Sequence, residues 1–436
     1  MRESTYIHAS RASRVITRWR GLGAILAVAF YSLFFAAHQQ LQDTPVYLRD
    51  SVLFAAKTQT VFNSLTASRT EDHRGIGAEH PAFTLLHHAP AQALIRGWQF
   101  LGKDPVRARK HGIALLTSLA GALIVVMVYH ALLWSSVASL RSILLATACG
   151  AGTCLWITAP LPEVWIFAGL GVAALAAVTA RGTLSPWWLH LIVAVYAISC
   201  FIGNVIPVLL LAIARCAQES TLHQRFTPQP LLIALAALPL TFGLANLQRV
   251  IYPLSPPLPA SLLTWKIPDA SWSPIMENAG LASREVFLSN LVAPRAVATE
   301  PDPTFGNRRR VVLSEASWSR LDVQKGIGAA WLLLLSLAFA GLVWRAQLDP
   351  YALGIIAIIV WFLAALPWYG HPDRLLLLAC LWTPAVVIAT GLGLERSLEH
   401  WPKIKLPITL LLIAFVTAQL TKNWRFIQEA ITQVRL

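Results

Sequence analysis

Apolar runs long enough to cross a lipid bilayer recur along this chain, and they leave few folds open. A helix needs roughly 17–25 predominantly apolar residues to span the hydrocarbon core. Such runs occupy residues 22–38, 113–134, 142–159, 164–180, 187–202, 204–215, 230–248, 327–344, 351–367, 375–393 and 406–420. Inside lipid each backbone N–H and C=O must be satisfied within the protein, and runs of this length do so as helices. The expected fold is an all-α polytopic membrane protein with about 11 transmembrane helices and two large outer-face loops.

Composition supports that class. Only 13% of the 436 residues are charged and 56% are hydrophobic, against about 25% charged in a soluble domain. A net charge of +14 could suggest a nucleic-acid partner. The basic residues are spread over inter-helix connectors, however, which suits cytoplasmic retention and anionic headgroups. The bilayer is the expected partner, and no nucleic acid is. Cys149, Cys154, Cys200, Cys216 and Cys380 lie in or beside apolar runs with no CxxC spacing, which argues against a zinc site or a disulfide framework. No metal-ligand motif is present, so no metal ligand is assigned; the cofactor is unknown, with a divalent metal left open.

Orientation follows from charge. Arg11, Arg14, Arg18 and Arg20 precede the first run, which places the N-terminus in the cytoplasm and Gln39 outside. The first run lacks a small-residue cleavage site and reads as a retained signal-anchor helix. The chain then divides into a basic N-terminus (1–21), a first span (22–38), an outer loop with interfacial helices (39–112) and a bundle (113–248). A second outer loop or small subdomain (249–325), a second bundle (326–420) and a C-terminal tail (421–436) complete it. Residues 82–101 are apolar but interrupted by His87, His88, Gln92, Arg96 and Gln99. They read as an interfacial amphipathic helix whose polar side chains stay wet.

Chemistry is sought where polar residues gather outside the spans. The first outer loop carries Asp43 and Asp50, then Glu71 and Asp72, then Glu79-His80-Pro81. A carboxylate at the water–membrane boundary can take a proton from a hydroxyl or amine, and a low-dielectric wall raises its pKa toward useful values. A single loop carboxylate is more often simply solvated; the grouping is what favours function. Glu163, following Pro162 between two runs, either faces a wet cavity or suits the first turn of a helix. His371, Asp373 and Arg374 sit between two later runs, where an aromatic interface belt is the plainer reading and a phosphate grip the sharper one. Asn204 beside Gly203 reads first as a turn residue. Arg308, Arg309 and Arg310 form either a solvated run or a phosphate-steering patch.

With those residues in place, the layout resembles the GT-C superfamily of membrane glycosyltransferases. The resemblance rests on the acidic start of the first outer loop at Asp43 and Asp50, and on Glu79-His80-Pro81 followed by apolar residues 82–86. It also rests on Pro162-Glu163 and on the run from Tyr369 to Arg374. It implies a cytoplasmic N-terminus, placement in a bacterial inner membrane, and a polyprenyl-phosphate-linked sugar as donor. It further implies inverting transfer to a glycan, lipid or protein acceptor on the outer face. Asp50 and Asp43 are then the leading candidates for the base, with Glu79 and His80 beside them. Arg374, His371 and the Arg308, Arg309, Arg310 run become candidates for the donor phosphate. Related sequences carry an Asp within the run that is Phe54-Ala55-Ala56-Lys57-Thr58 here. Either Asp50 or Asp43 supplies the acid instead, or the activity is lost or changed. Two other classes compete: an O-antigen ligase or polymerase-like enzyme using Arg and His of the long loop, and a non-enzymatic transporter or flippase. Spans largely free of charge weigh against the transporter.

Overall fold

The computed structural model describes residues 2–54, 56–67, 76–77, 79–223, 227–257, 279–280, 282–293, 296–299, 310–313, 323–344, 349–366 and 375–435. It is an integral multi-pass membrane protein built almost wholly of helices. Helix α1 (Arg2–Leu41) leads to the shorter helices α2 (Thr58–Thr66) and α3 (Phe83–Phe100). There follow α4 (Pro105–Trp134), α5 (Ser139–Gly150), α6 (Thr153–Thr158), α7 (Trp165–Ala180), α8 (Trp187–Cys200), α9 (Val205–His223) and α10 (Gln229–Ile251). The remainder holds α11 (Val323–Trp344), α12 (Pro350–Ala365), α13 (Leu375–Leu378), α14 (Thr383–His400) and α15 (Lys405–Arg435). The main packing partners are α4 with α1 and α7, α8 with α7 and α10, α9 with α12, and α11 with α14.

Every apolar run expected from the sequence contains helix, and about 11 full spans are not shown among the described residues. Among the described residues six helices are long and apolar enough to cross, or seven if the pair Leu375–Leu381 and Thr383–His400, bent by 56°, is one span. Helices α5, α7, α8 and α12 are shorter, with 12, 16, 14 and 16 residues. At about 1.5 Å per residue even the longest of these falls short of ~30 Å. The cause is that hydropathy runs past the helix ends. The 142–159 run, for example, is broken at Ala151 and Gly152, so α5 and α6 are separate.

Boundaries also shift. Asp104 caps α4 by accepting from the Val106 and Arg107 amides (3.1 and 3.0 Å), with Pro105 at the first position. The basic residues Arg107, Arg109 and Lys110 therefore lie on the first turns of α4 rather than in a loop ending at 112. The expected C-terminal tail continues as helix to Arg435. Helices α11 and α14 cross closely through Gly341 and Gly393: a Cβ on Gly341 would strike the Gly393 carbonyl, and one on Gly393 the Ala338 carbonyl. Small residues let backbones approach in this way where lipid offers no hydrophobic drive between helices.

Helix α3 has the extent expected of the interfacial segment and is not apolar enough to be a candidate span. Its polar residues do more than stay wet. His88 Nε2 donates to the Ala67 carbonyl (3.1 Å) and Gln92 Nε2 to the Leu65 carbonyl (3.0 Å). They tie down carbonyls at the C-terminal end of α2, which would otherwise lack partners.

The all-α expectation fails at one point. Strand β1 (Ala296–Ala298) pairs antiparallel with β2 (Val311–Leu313), and Val311 makes a parallel bridge to Leu53. The Phe54 amide donates to the Val311 carbonyl (2.9 Å) and the Val311 amide to the Val52 carbonyl (3.0 Å). Short valine-bearing stretches outside the helices satisfy their backbone groups by pairing with each other. The segments around Leu53 and Val311 are thereby joined, and Phe54 stacks on Phe426 of α15 with ring centroids 5.6 Å apart.

Candidate functional site

Three segments far apart in sequence meet at one end of the helices: residues 50–57, residues 79–82 and the 159–164 connector between α6 and α7. The first segment is held by its own hydrogen bonds. Ser51 and Phe54 adopt left-handed backbone angles (φ 62° and 51°), and the Ser51 amide closes the turn on the Ala56 carbonyl at 2.7 Å. Such conformations are strained for residues other than glycine and persist where surroundings enforce them. Asp50 supplies the cap that Lys57, at the N-cap position of α2, does not. Its Oδ1 accepts from the Thr60 amide (3.0 Å) and its Oδ2 from the Thr60 hydroxyl. A carboxylate here meets the unpaired N–H groups and positive end of the helix.

Tyr47 ties this loop to the 159–164 connector. Its hydroxyl donates to the Pro160 carbonyl (3.0 Å) and receives from His38 Nδ1 (2.5 Å), all buried. In the same connector Glu163 is 1% exposed, and its Oε2 accepts the Lys57 amide at 3.2 Å. Burial pushes its carboxyl up to about 7; Lys57 pulls it down and Asp50 pushes it further up.

The Glu79–Ala82 segment is strapped to the turn between α8 and α9. The Ile202 amide donates to the Glu79 carbonyl (2.9 Å), the Ala82 amide to the Ser199 carbonyl (3.2 Å), and His80 Nδ1 to the Cys200 carbonyl (2.5 Å). His80 is buried among Trp165, Phe201 and Phe83. Burial drives its pKa below the ordinary value, so near neutral pH it is an uncharged ring with its proton on Nδ1. Its Nε2 then turns a lone pair toward Glu79 Oε1, 4.0 Å away.

Glu79 is the open member of the cluster. Partial burial raises its carboxyl, while its own backbone N–H and the Lys57 ammonium act in the opposite direction. With His80 neutral, the Lys57 ammonium is the standing counter-charge: Nζ lies 3.7 Å from Glu79 Oε1, and the two side chains are 38% and 30% exposed. Phe201, which packs against the His80 ring, also lines a small apolar pocket with Gly203, Trp361, Phe362, Leu366 and Leu381.

The other sequence candidates divide. Asp43 is exposed beyond the end of α1. Asn204 is buried and gives its amide to the Ala168 and Ala197 carbonyls (3.2 and 3.0 Å), which is the work of a turn residue. Arg310 is half-buried and stands next to the bridging Val311; its backbone pairs with Thr299, not with the cluster. Glu71, Asp72, Arg308, Arg309, His371, Asp373 and Arg374 lie outside the described residues. Among the described residues no three His, Cys, Asp or Glu side chains are arranged to hold a metal ion. The sequence marks neither Tyr47 nor His38 as part of the site, and at Lys57 it shows only the lack of an acid. Nothing local in the sequence marks partners some hundred residues away.

The sequence matches no protein-family model and no curated protein. The chain is similar to the crystal structure of ArnT from Cupriavidus metallidurans bound to undecaprenyl phosphate, with 13% identity and a TM-score of 0.48 over 96% of this chain and 76% of that one.

Proposed function

We propose that this chain is a membrane glycosyltransferase that moves a sugar from a polyprenyl-phosphate donor to an acceptor on the outer face, with inversion. The supporting observation is the adjacency at Phe201. On one side stands the half-open Glu79 beside Lys57; the Glu79 backbone carbonyl accepts from Ile202, and its neighbour His80 packs on Phe201. On the other is a small apolar pocket lined by Phe201. A substrate with a charged head and a hydrocarbon tail needs that combination. The resemblance carried by Glu79-His80-Pro81 and Pro162-Glu163 points the same way.

In this reading Glu79 is the base. It takes the proton of the acceptor hydroxyl or amine while the acceptor attacks C1 from the face opposite the phosphate. The C1–O bond to the phosphate breaks and the lipid phosphate leaves with the electron pair. Its charge becomes more negative as it does so, and nearby cations stabilise the transition state. Asp50 holds α2 and Glu163 holds Lys57, so both act by positioning.

The test is transfer from a polyprenyl-phosphate sugar by purified protein in liposomes. Glu79→Gln is expected to lower kcat by about a hundredfold or more, the usual share of a general base, with the fold intact. Full activity in Glu79→Gln would reject Glu79 as base. Full activity there and in Asp50→Asn, with loss on changing His371 or Arg309, would point instead to a ligase-type enzyme.

A further inference from the structure

We propose that Lys57 is the cation that receives the donor phosphate, and that Glu79 is its resting counter-ion, released as base when the phosphate arrives. The inference rests on the glycosyltransferase reading and assigns Lys57 a role within that site.

Lys57 is fixed at its root and loose at its tip. The buried Glu163 accepts its amide at 3.2 Å, and the turn from Ser51 to Ala56 closes just before it. Its Nζ, by contrast, is 3.7 Å from Glu79 Oε1 in a pair whose side chains are 38% and 30% exposed. Ion pairs this open to water hold weakly. A phosphate oxygen offers the ammonium a shorter, charge-assisted hydrogen bond. The exchange is therefore easy in the direction the chemistry needs.

Charge accounting gives the exchange its use. The donor is a phosphodiester bearing one negative charge; its leaving group gains another as the C1–O bond breaks. Lys57, turned to the phosphate, meets that charge where it develops. Glu79, having lost its partner, accepts the acceptor's proton as the new C1–O or C1–N bond forms. The carboxylate thus becomes free only with donor in place. His80 cannot take over from Lys57, since it is buried and neutral with its Nδ1 proton committed to the Cys200 carbonyl.

Binding of farnesyl phosphate to the purified full-length protein in detergent, followed by calorimetry, tests this alongside transfer. Lys57→Gln is expected to weaken binding ten- to a hundredfold, and Lys57→Arg to keep it within about threefold. Glu79→Gln, by removing the competing carboxylate, is expected to tighten binding severalfold while lowering transfer by about a hundredfold or more. A merely structural ion pair would weaken binding in both Gln variants alike, and that result overturns the proposal, as does wild-type affinity in Lys57→Gln. If Lys57→Gln does not fold, Glu79→Gln decides alone: tighter binding supports the exchange, and unchanged or weaker binding refutes it. Absence of farnesyl phosphate binding in the wild type would remove the glycosyltransferase reading itself. Wild-type binding with an indifferent Lys57 would remove only this inference.

Discussion

Replacing Glu163 with glutamine should abolish a specific part of the protein's pH-dependent stability. The side chain is buried, and its carboxyl sits at about 7 instead of 4.5 because burial disfavours the charged form. Below pH 4.5 the folded and unfolded states both carry the proton, and this group contributes no pH dependence. From pH 4.5 to about 7 the unfolded chain releases its proton while the folded one keeps it, so stability falls as pH rises. Above 7 both are ionised and the loss is complete. The displacement from 4.5 to about 7 corresponds to about 3 kcal/mol. Glutamine is close in shape, stays neutral and can still accept the Lys57 amide through its carbonyl. Urea unfolding in mild detergent, followed by tryptophan fluorescence at pH 4.5 and pH 8.5, measures the difference. The variant should match wild type at pH 4.5 and exceed it by about 3 kcal/mol at pH 8.5. Glu285, also raised to about 7 by burial, should leave the variant with a residual slope that Glu285→Gln removes. An unchanged slope in Glu163→Gln would refute the reasoning.

Three further outcomes are expected. Tyr47→Phe leaves the Pro160 carbonyl and His38 Nδ1 buried without their partner and should cost about 1–3 kcal/mol in the same unfolding measurement. Asp50→Ala uncaps α2 and should cost about 1 kcal/mol, whereas Asp50→Asn, which still presents an acceptor to Thr60, should retain most stability and measurable transfer. Gly393→Val drives a side chain into the Ala338 backbone and should abolish the monodisperse peak in size-exclusion chromatography, while Gly243→Ala, with open space around it, should leave the peak intact.

What the sequence disclosed follows the range of the forces involved. The helical membrane class was legible because burial in lipid writes itself as continuous apolar residues, and the extent of α3 because His87, His88 and Gln92 interrupt one; the number of full spans was not. The break at Gly152 and the short α8 were not, since helix ends depend on local backbone geometry more than on hydropathy. The strand pair was hidden because each strand is three residues long and pairs only through tertiary contact. At the site, Glu79 and His80 stood out as a polar knot beside Pro81. The meaning of Lys57 did not, because its partners Glu79 and Glu163 reach it from different segments, Glu163 across 106 residues.

The central claim is that Glu79 acts on a lipid-phosphate sugar, and the most direct measurement is single-turnover transfer of a labelled sugar from a polyprenyl-phosphate donor in liposomes, comparing wild type with Glu79→Gln at saturating donor. The account predicts product from the wild type, and from the variant a rate lower by about a hundredfold or more with donor still bound. Equal rates in the two proteins, or no product from the wild type with any polyprenyl-phosphate sugar, would contradict it.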